Sequence, residues 1–344
     1  MTDDILMQSV LIRGQRNMHA IYVKNLSKHF KIKIKENGLS GSLKSLFSSS
    51  SKEVKAVNNI SFSVKKGEIL AFIGPNGAGK STTIKMLTSI LHPDSGEIEV
   101  LGLNPVEHRK KLAYKIGTVF GQKEQLWPHL TARDNFKFFA AIYDLEGEKA
   151  KRRIDELCRL FGLDDIIDTP VKSLSLGQRI RCEIAASILH NPEILFLDEP
   201  TIGLDPVVKE NVRELIKTLN KECGTTIFLT SHDIGDIEKL CKRIIIMNHG
   251  KIIIDSSMTD LHDNYLTKKI LEIKTRGAAK IPQLEGIKIL ENEKSLVRLE
   301  VDTSKEAISN VVKKLNYDNI SDITISNIPL ENIIAKIYST KNEN

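Results

Sequence analysis

The sequence predicts an α/β fold, a largely parallel sheet covered by helices, with a helical insertion and a small α+β appendage. Two observations predict it. Short apolar runs at residues 69–73, 194–197, 226–230 and 244–247 alternate with helical stretches. Runs of that length, apolar on both faces, suit central strands buried between layers of helix. Past residue 255 the texture changes to alternation of apolar and polar residues, the pattern of half-buried strands, mixed with segments of helical spacing.

Taken in order, residues 1–19 read as an extension outside the fold, with Met18 a second candidate start. A strand opens at 20–23. Beyond Phe30 the run Lys31-Ile32-Lys33-Ile34-Lys35 alternates strictly and predicts an exposed strand. The Ser- and Gly-rich stretch 38–52 then predicts a flexible surface hairpin. The α/β pattern occupies the domain 20–255, and within it residues from about 125 to 190 lack apolar runs and read as an inserted helical subdomain. In the appendage, 256–344, strands are predicted at 270–274, 296–301 and 320–325, and helices at 305–315 and 330–338.

Hydrophobic residues make up 41% of the 344-residue chain, enough for a large domain with its own core plus an appendage. The net charge of +6 is spread along the chain, which suits a solvated surface first, an anionic membrane surface second and nucleic acid third. The four cysteines stand far apart, without a CxxC pair or clustered histidines, which argues against a zinc site or disulfide framework and fits a reducing compartment. No run approaches the ~18 apolar residues that a bilayer span needs. Asp3 and Asp4 precede a short apolar patch, the wrong charge order for a signal peptide. Any service to a membrane would be by docking.

The octapeptide Gly74-Pro75-Asn76-Gly77-Ala78-Gly79-Lys80-Ser81 matches GxxxxGK[ST], follows the apolar run 69–73 and opens a predicted helix that continues through Thr82. Glycines let successive backbone N–H groups turn inward around a phosphate, and the helix N-terminus adds partial positive charge. Lys80 is placed to reach β- and γ-phosphates, and Ser81 to bind Mg²⁺. The pattern alone arises by chance in roughly one chain of this length in a hundred; the strand–loop–helix setting makes it far more specific. The run 194–197 ends in Asp198 and Glu199. Acids at the carboxyl end of a central strand lie beside such a loop. Asp198 suits a ligand, direct or through water, to the magnesium ion, and Glu199, pointing differently, suits polarisation of an attacking water.

Further motifs in fixed order resemble those of ABC transporter ATPases. Phe30, in Leu26-Ser27-Lys28-His29-Phe30, resembles the aromatic that stacks on adenine, and Gln122, in Val119-Phe120-Gly121-Gln122, the glutamine that touches Mg²⁺ and links core to helical subdomain. Leu174-Ser175-Leu176-Gly177-Gln178 resembles the signature LSGGQ, Pro200-Thr201-Ile202-Gly203-Leu204-Asp205 the D-loop, and His232 the switch histidine. The match covers about residues 20–255. It implies a P-loop NTPase core with a small antiparallel β subdomain and an inserted helical subdomain, plus the C-terminal α+β appendage. It also implies ATP and Mg²⁺ as ligands, a second copy or a paralogous ATPase as partner, integral-membrane permease subunits rather than nucleic acid, and a peripheral position on the cytoplasmic face of the cell membrane. Details such as the Gln125-Leu126-Trp127 run look most like ATPases of exporters with separate permeases. The rival implication is a non-transport ABC ATPase acting on nucleic acid or ribosomes.

Departures from the family pattern carry expectations of their own. Leu176 stands where the signature has Gly, which removes the ready option of positive φ and adds bulk at a turn facing ATP. Ser175 alone reads as a plain helix N-cap; the family implies that it also meets the γ-phosphate held by the other copy. The segment 31–54 is longer than the usual connection, and reads either as a tolerated insertion or as a partner contact. Residues 126–130, with the single Trp, read either as ordinary packing or as the permease docking surface.

Overall fold

The computed structural model describes residues 19–33, 51–121, 123–265, 268–276, 284–293, 295–315, 319–327 and 334. Of the predicted extension at 1–19, residues 1–18 lie outside the described residues and His19 already belongs to the first strand; most of the insertion, at 34–50, Gln122 and the predicted helix at 330–338 (except Ile334) also lie outside them. The chain divides into two compact units, Met1–Asp255 and Ser256–Asn344.

In the first unit, β1 (His19–Lys33), β2 (Ser51–Lys65) and β4 (Ser95–Val100) form an antiparallel sheet ordered β2-β1-β4. The predicted 20–23 strand is the start of a 15-residue ribbon, because β2 pairs with it as far as Lys33↔Ser51. Its inward residues, Ile21, Val23 and Leu26, are buried beside Ile60, Phe62 and Val64. Phe62 lies 5.6 Å from Phe72, so this small sheet is cemented by aromatic contact to the central one.

The central sheet runs β5 (Ile116–Phe120), β6 (Ile194–Asp198), β7 (Thr226–Thr230), β3 (Ile69–Ile73), β8 (Arg243–Asn248), β9 (Lys251–Ser257). The first five are parallel, and every residue of β7 is buried, as a strand covered on both faces requires. β9 returns through a two-residue turn, His249–Gly250, with φ of 46° and 77°, the primed geometry of tight hairpins. That turn is tied inward: Gly250 N–H donates to Ala78 O at 3.0 Å and Asn58 N–H donates to Gly250 O at 2.8 Å.

Helices α1 (Lys80–Leu87), α2 (Arg109–Ala113), α6 (Pro206–Cys223) and α7 (Ile234–Leu240) belong to the core. The helical subdomain consists of α3 (Ala132–Ile142), α4 (Gly147–Phe161) and α5 (Leu176–Ser187), packed around Phe136, Leu157, Phe161 and Ile180. Caps set their limits: Thr131 accepts from Asp134 N–H at α3, and Gly162 closes α4 at φ 58°.

The second unit holds α8 (Met258–Tyr265) and an antiparallel sheet ordered β11 (Ile287–Asn292), β12 (Leu296–Asp302), β10 (Lys268–Thr275), β13 (Ile320–Asn327), with α9 (Ile308–Lys313). One face packs Leu271, Ile273, Val297, Leu299 and Val301 under Val311 and Leu315. The other carries cross-strand ion pairs, among them Arg298–Glu272 at 2.9 Å and Lys274–Asp322 at 3.3 Å. Among the described residues, no helix is long and apolar enough to cross a membrane.

Candidate phosphate and nucleotide site

The carboxyl ends of β3, β6 and β7 lie side by side, so whatever follows these strands converges. After β3 comes the Gly74–Ser81 loop. Gly79 has φ 107°, and a Cβ there would stand 2.3 Å from Ala56 O; at Gly74 it would stand 2.5 Å from Met247 O. The loop is therefore clasped between β2 and β8 at positions that admit no side chain. Lys80 starts α1 but its ammonium folds back, donating to Gly74 O at 2.6 Å, and the residue is 6% exposed. Burial pulls its pKa below the ordinary lysine value, an effect opposed by the nearby carboxylates of Glu199 and Asp198.

After β6 come the two acids, and they do point differently. Asp198 accepts from the Ser81 hydroxyl at 3.1 Å and from the Thr230 hydroxyl. Glu199 enters the left-handed region at φ 56°, held there by Thr230, whose carbonyl and hydroxyl oxygens accept from Glu199 N–H at 3.0 and 3.1 Å. This turn carries its side chain to His232, Nε2 to Oε1 2.8 Å. The short contact requires Nε2–H to donate to the carboxylate, so Lys80 Nζ, 3.3 Å from the same nitrogen, lies alongside rather than donating to it. Thr230 is a residue that sequence reasoning passed over; its place at the end of β7, just before Ser231-His232, was the available signal.

Lys80, Ser81, Thr82, Asp198 and Glu199 line one cavity of about 620 Å³, together with Pro75, Asn76, Gly77, Ala78 and Gly79. Phe30 lines it too, 39% exposed, with Lys28 Nζ 5.8 Å from its ring centre. Val54, Ile90 and Phe120 add apolar wall, and Lys85 and Lys123 add positive charge; none of these was singled out in the sequence. The cradle fits a triphosphate with a planar base: a glycine-rich loop, a buried ammonium and an exposed ring line one cavity. The chain offers a divalent ion one hydroxyl and one carboxylate, a sparse set that suits magnesium held largely by phosphates and water.

Ser175, Gly177, Gln178 and Asp205 do not line this cavity. Ser175 caps α5 in a reciprocal box: its hydroxyl oxygen accepts from Gln178 N–H at 3.3 Å and Gln178 Oε1 accepts from Ser175 N–H at 2.9 Å. Accepting leaves the hydroxyl hydrogen free to donate outward, so capping and phosphate contact are compatible. Leu176 sits inside the first turn of α5 with no positive φ, so the expected backbone consequence of losing Gly does not arise. The bulk is real: a Cβ on Gly203 would lie 3.3 Å from Leu176 Cδ2. Asp205 uses Oδ1 to cap α6, accepting from Val207 and Val208 N–H at 3.0 Å.

The two flanks of Gln122 are held by different parts of the unit, one by core strand β6 and the other by the helical subdomain. Gly121 N–H donates to Asp198 O at 2.8 Å, Arg179 of α5 pairs with Glu124, and Glu183 of α5 accepts from the Gln125 N–H. Glu183 is 3% exposed, and burial pushes its carboxyl up to about 7. The folded state therefore keeps this proton up to about pH 7, whereas the unfolded chain releases it near 4.5. Its stabilising contribution is whole below pH 4.5 and is lost as pH rises through 7, a change of at most about 3 kcal/mol. Glu183→Gln is accordingly expected to be more stable than the parent in urea at pH 8 and to match it near pH 4.5. Parallel pH curves for the two would contradict this.

Just beyond, Leu126 is buried while Trp127 is 53% exposed, its ring 4.5 Å from Phe138. Fully buried Asn135 fixes the backbone here, accepting from Trp127 N–H at 2.7 Å and donating to its carbonyl at 3.1 Å.

The model of the "ABC transporter" family matches residues 57–202. The Bacillus subtilis ABC transporter ATP-binding protein YcbN is 35% identical over 83% of this chain and 92% of its own length. The B. subtilis linearmycin resistance ATP-binding protein LnrL is 39% identical over 64% of this chain and 70% of its own. Among solved structures, the dimeric ATP-binding cassette MJ0796, in a post-hydrolysis state bound to ADP and Pi, is 28% identical, with a TM-score of 0.58 over 69% of this chain and 98% of that one. With these likenesses added to the converging loop, acids and histidine, the chain belongs to the ABC transporter ATP-binding proteins, and it is an ATPase.

Proposed function

We propose that this chain powers export of a substrate through a separate permease, docked on the cytoplasmic face of the cell membrane and working as a pair with a second copy or a paralogous ATPase. The observation that carries the pairing is that Ser175 caps a helix outside the cavity holding Lys80 and Glu199. A second subunit is what would bring such a serine to the phosphate. In this reading Phe30 stacks on the base, the Gly74–Ser81 amides and Lys80 hold the phosphates, and Ser175, Gly177, Gln178 and Asp205 close from the opposite copy. A magnesium ion, held by Ser81, Asp198 and Gln122, would neutralise charge on the β/γ oxygens. Glu199 orients the attacking water and His232 donates to the γ-phosphate.

Closure couples to transport because ATP favours the closed pair over the open one, and that difference in affinity sets the shift. Hydrolysis to ADP and phosphate removes it, and the pair reopens. The motion passes to the permease through the helical subdomain. A half-exposed tryptophan on rigid backbone, next to Phe138, is the type of aromatic anchor that dominates protein interfaces. Trp127→Ala is expected to weaken complex formation with the co-expressed permease by about tenfold or more while leaving the free chain's ATPase unchanged. Undiminished co-purification would remove Trp127 from the interface. Export is supported by the resistance protein among the relatives. ATP-driven uptake into inside-out vesicles tests it, and accumulation in the opposite sense would make the protein an importer. Salt-sensitive binding of nucleic acid, with no permease recovered, would favour the non-transport reading instead.

A further inference from the structure

Outside the residues that line the cavity lies a carboxylate that none of the above employs. Asp236, on α7, is 0% exposed. Its Oδ2 accepts two hydroxyls at once, Ser231 Oγ at 2.8 Å and Thr201 Oγ1. Its Oδ1 accepts from the Arg213 guanidinium of α6, Nε and Nη2 both at 2.7 Å. Each of these side-chain partners is a donor, so both oxygens of this fully buried carboxyl act as acceptors.

The identity of the two hydroxyls matters more than their number. Thr201, 2% exposed, stands two residues after Glu199 and begins the loop Thr201–Asp205 that leads into α6. Ser231 directly precedes His232, and its oxygen also accepts from Asp233 N–H at 3.0 Å. His232 is thus flanked by two residues fastened to the Asp236 cluster, while its own side chain is 44% exposed. One oxygen atom ties together the backs of the two loops whose fronts meet as Glu199 and His232. The Arg213 fork, on the other oxygen, anchors the same carboxylate to α6, whose first residues receive the Asp205 cap.

We propose that Asp236 is a positioning residue that locks the Thr201–Asp205 loop to the His232 loop, so that a displacement of the first, such as contact with a second copy, is carried to the histidine. The coupling is a hydrogen-bonded triangle and contains no flexible side chain longer than a carboxylate. Loss of either hydroxyl removes this tie, leaving the Glu199–Thr230 bonds, without touching the residues that line the nucleotide cavity. Asparagine at 236 removes the charge that faces the guanidinium and, with its amide turned to the two hydroxyls, reverses the direction of both bonds.

The inference rests on Glu199 and His232 acting at the γ-phosphate. Its test uses the full chain, comparing Thr201→Val, which keeps the shape and deletes the hydroxyl, with Thr201→Ser, which keeps the hydroxyl. Thr201→Val is expected to lower kcat about tenfold or more with KM for ATP within about threefold, and Thr201→Ser to retain most of the turnover. Combining Thr201→Val with Asp236→Asn is expected to be no worse than Asp236→Asn alone, since both break one link. Equal turnover of the Val and Ser variants overturns the proposal, and so do losses that multiply in the double variant or a matching rise in KM. A failure of the parent reading is seen elsewhere, as undiminished turnover in a Glu199→Gln chain, and leaves the Val/Ser contrast to be scored independently.

Discussion

The Glu199→Gln chain should turn over ATP about 10²- to 10⁴-fold more slowly than the parent, the range that removal of a general base produces. Gln has the shape of Glu and can still accept from His232 Nε2, now 2.8 Å from Oε1, so the fold and the histidine should stay in place. What is lost is the negative charge to which the proposed mechanism assigns polarisation of water. The phosphate loop is untouched, so nucleotide binding persists and the closed pair, no longer dissolved by hydrolysis, should accumulate. Phosphate release measures the first effect and sedimentation with saturating Mg·ATP the second. Normal turnover would exclude Glu199 from the chemistry. A variant that remains strictly monomeric under those conditions, even beside its permease, would remove the composite site.

The second large effect is expected at Gly79. Alanine there meets two penalties. A left-handed φ of 107° costs roughly 1–2 kcal/mol for a residue with a Cβ. The Cβ also falls 2.3 Å from Ala56 O, a backbone atom that cannot swing aside. The loop must move off β2, and the amides and Lys80 move with it, so Gly79→Ala should abolish measurable ATP binding and lower the denaturation midpoint. Gly77→Ala provides the control: φ is 80°, yet nothing lies within 4 Å of its Cβ, leaving only the conformational cost of about 1 kcal/mol. Comparable affinities for the two variants would mean that the clasp by Ala56 is not what holds the loop.

Much of this site could be read from the chain because its chemistry is locally written. The Gly74–Ser81 loop, Asp198-Glu199 and the Ser231-His232 pair each follow a short apolar run, and the structure places them at the ends of β3, β6 and β7. Ser175 was legible as an N-cap, but the reciprocal bond to the Gln178 side chain was not read, although the Ser-x-x-Gln spacing was its signal. What could not be read is pairing across distance. Asp236 reaches partners 35, 23 and 5 positions away, and Glu183 meets the backbone of Gln125; on a helix each looks like an ordinary polar residue. The length of the β1–β2 ribbon was likewise hidden, since β1's registry through Lys33 is set by a partner beginning at Ser51. Leu176 misled for the same reason: whether a turn needs positive φ depends on where the helix begins, and α5 takes Leu176 as its first helical residue.

The tight return between β8 and β9 has a bearing on recognition. By bonding Ala78 on one side and Asn58 on the other, Gly250 braces the backbone amides of the Gly74–Ser81 loop from outside the cavity. Their disorder is thus surrendered when the polypeptide first folds, and an arriving triphosphate meets a rigid mould. Affinity then owes little to rearrangement of the receptor, and the motion available for work is left to the elements that do not grip the phosphates.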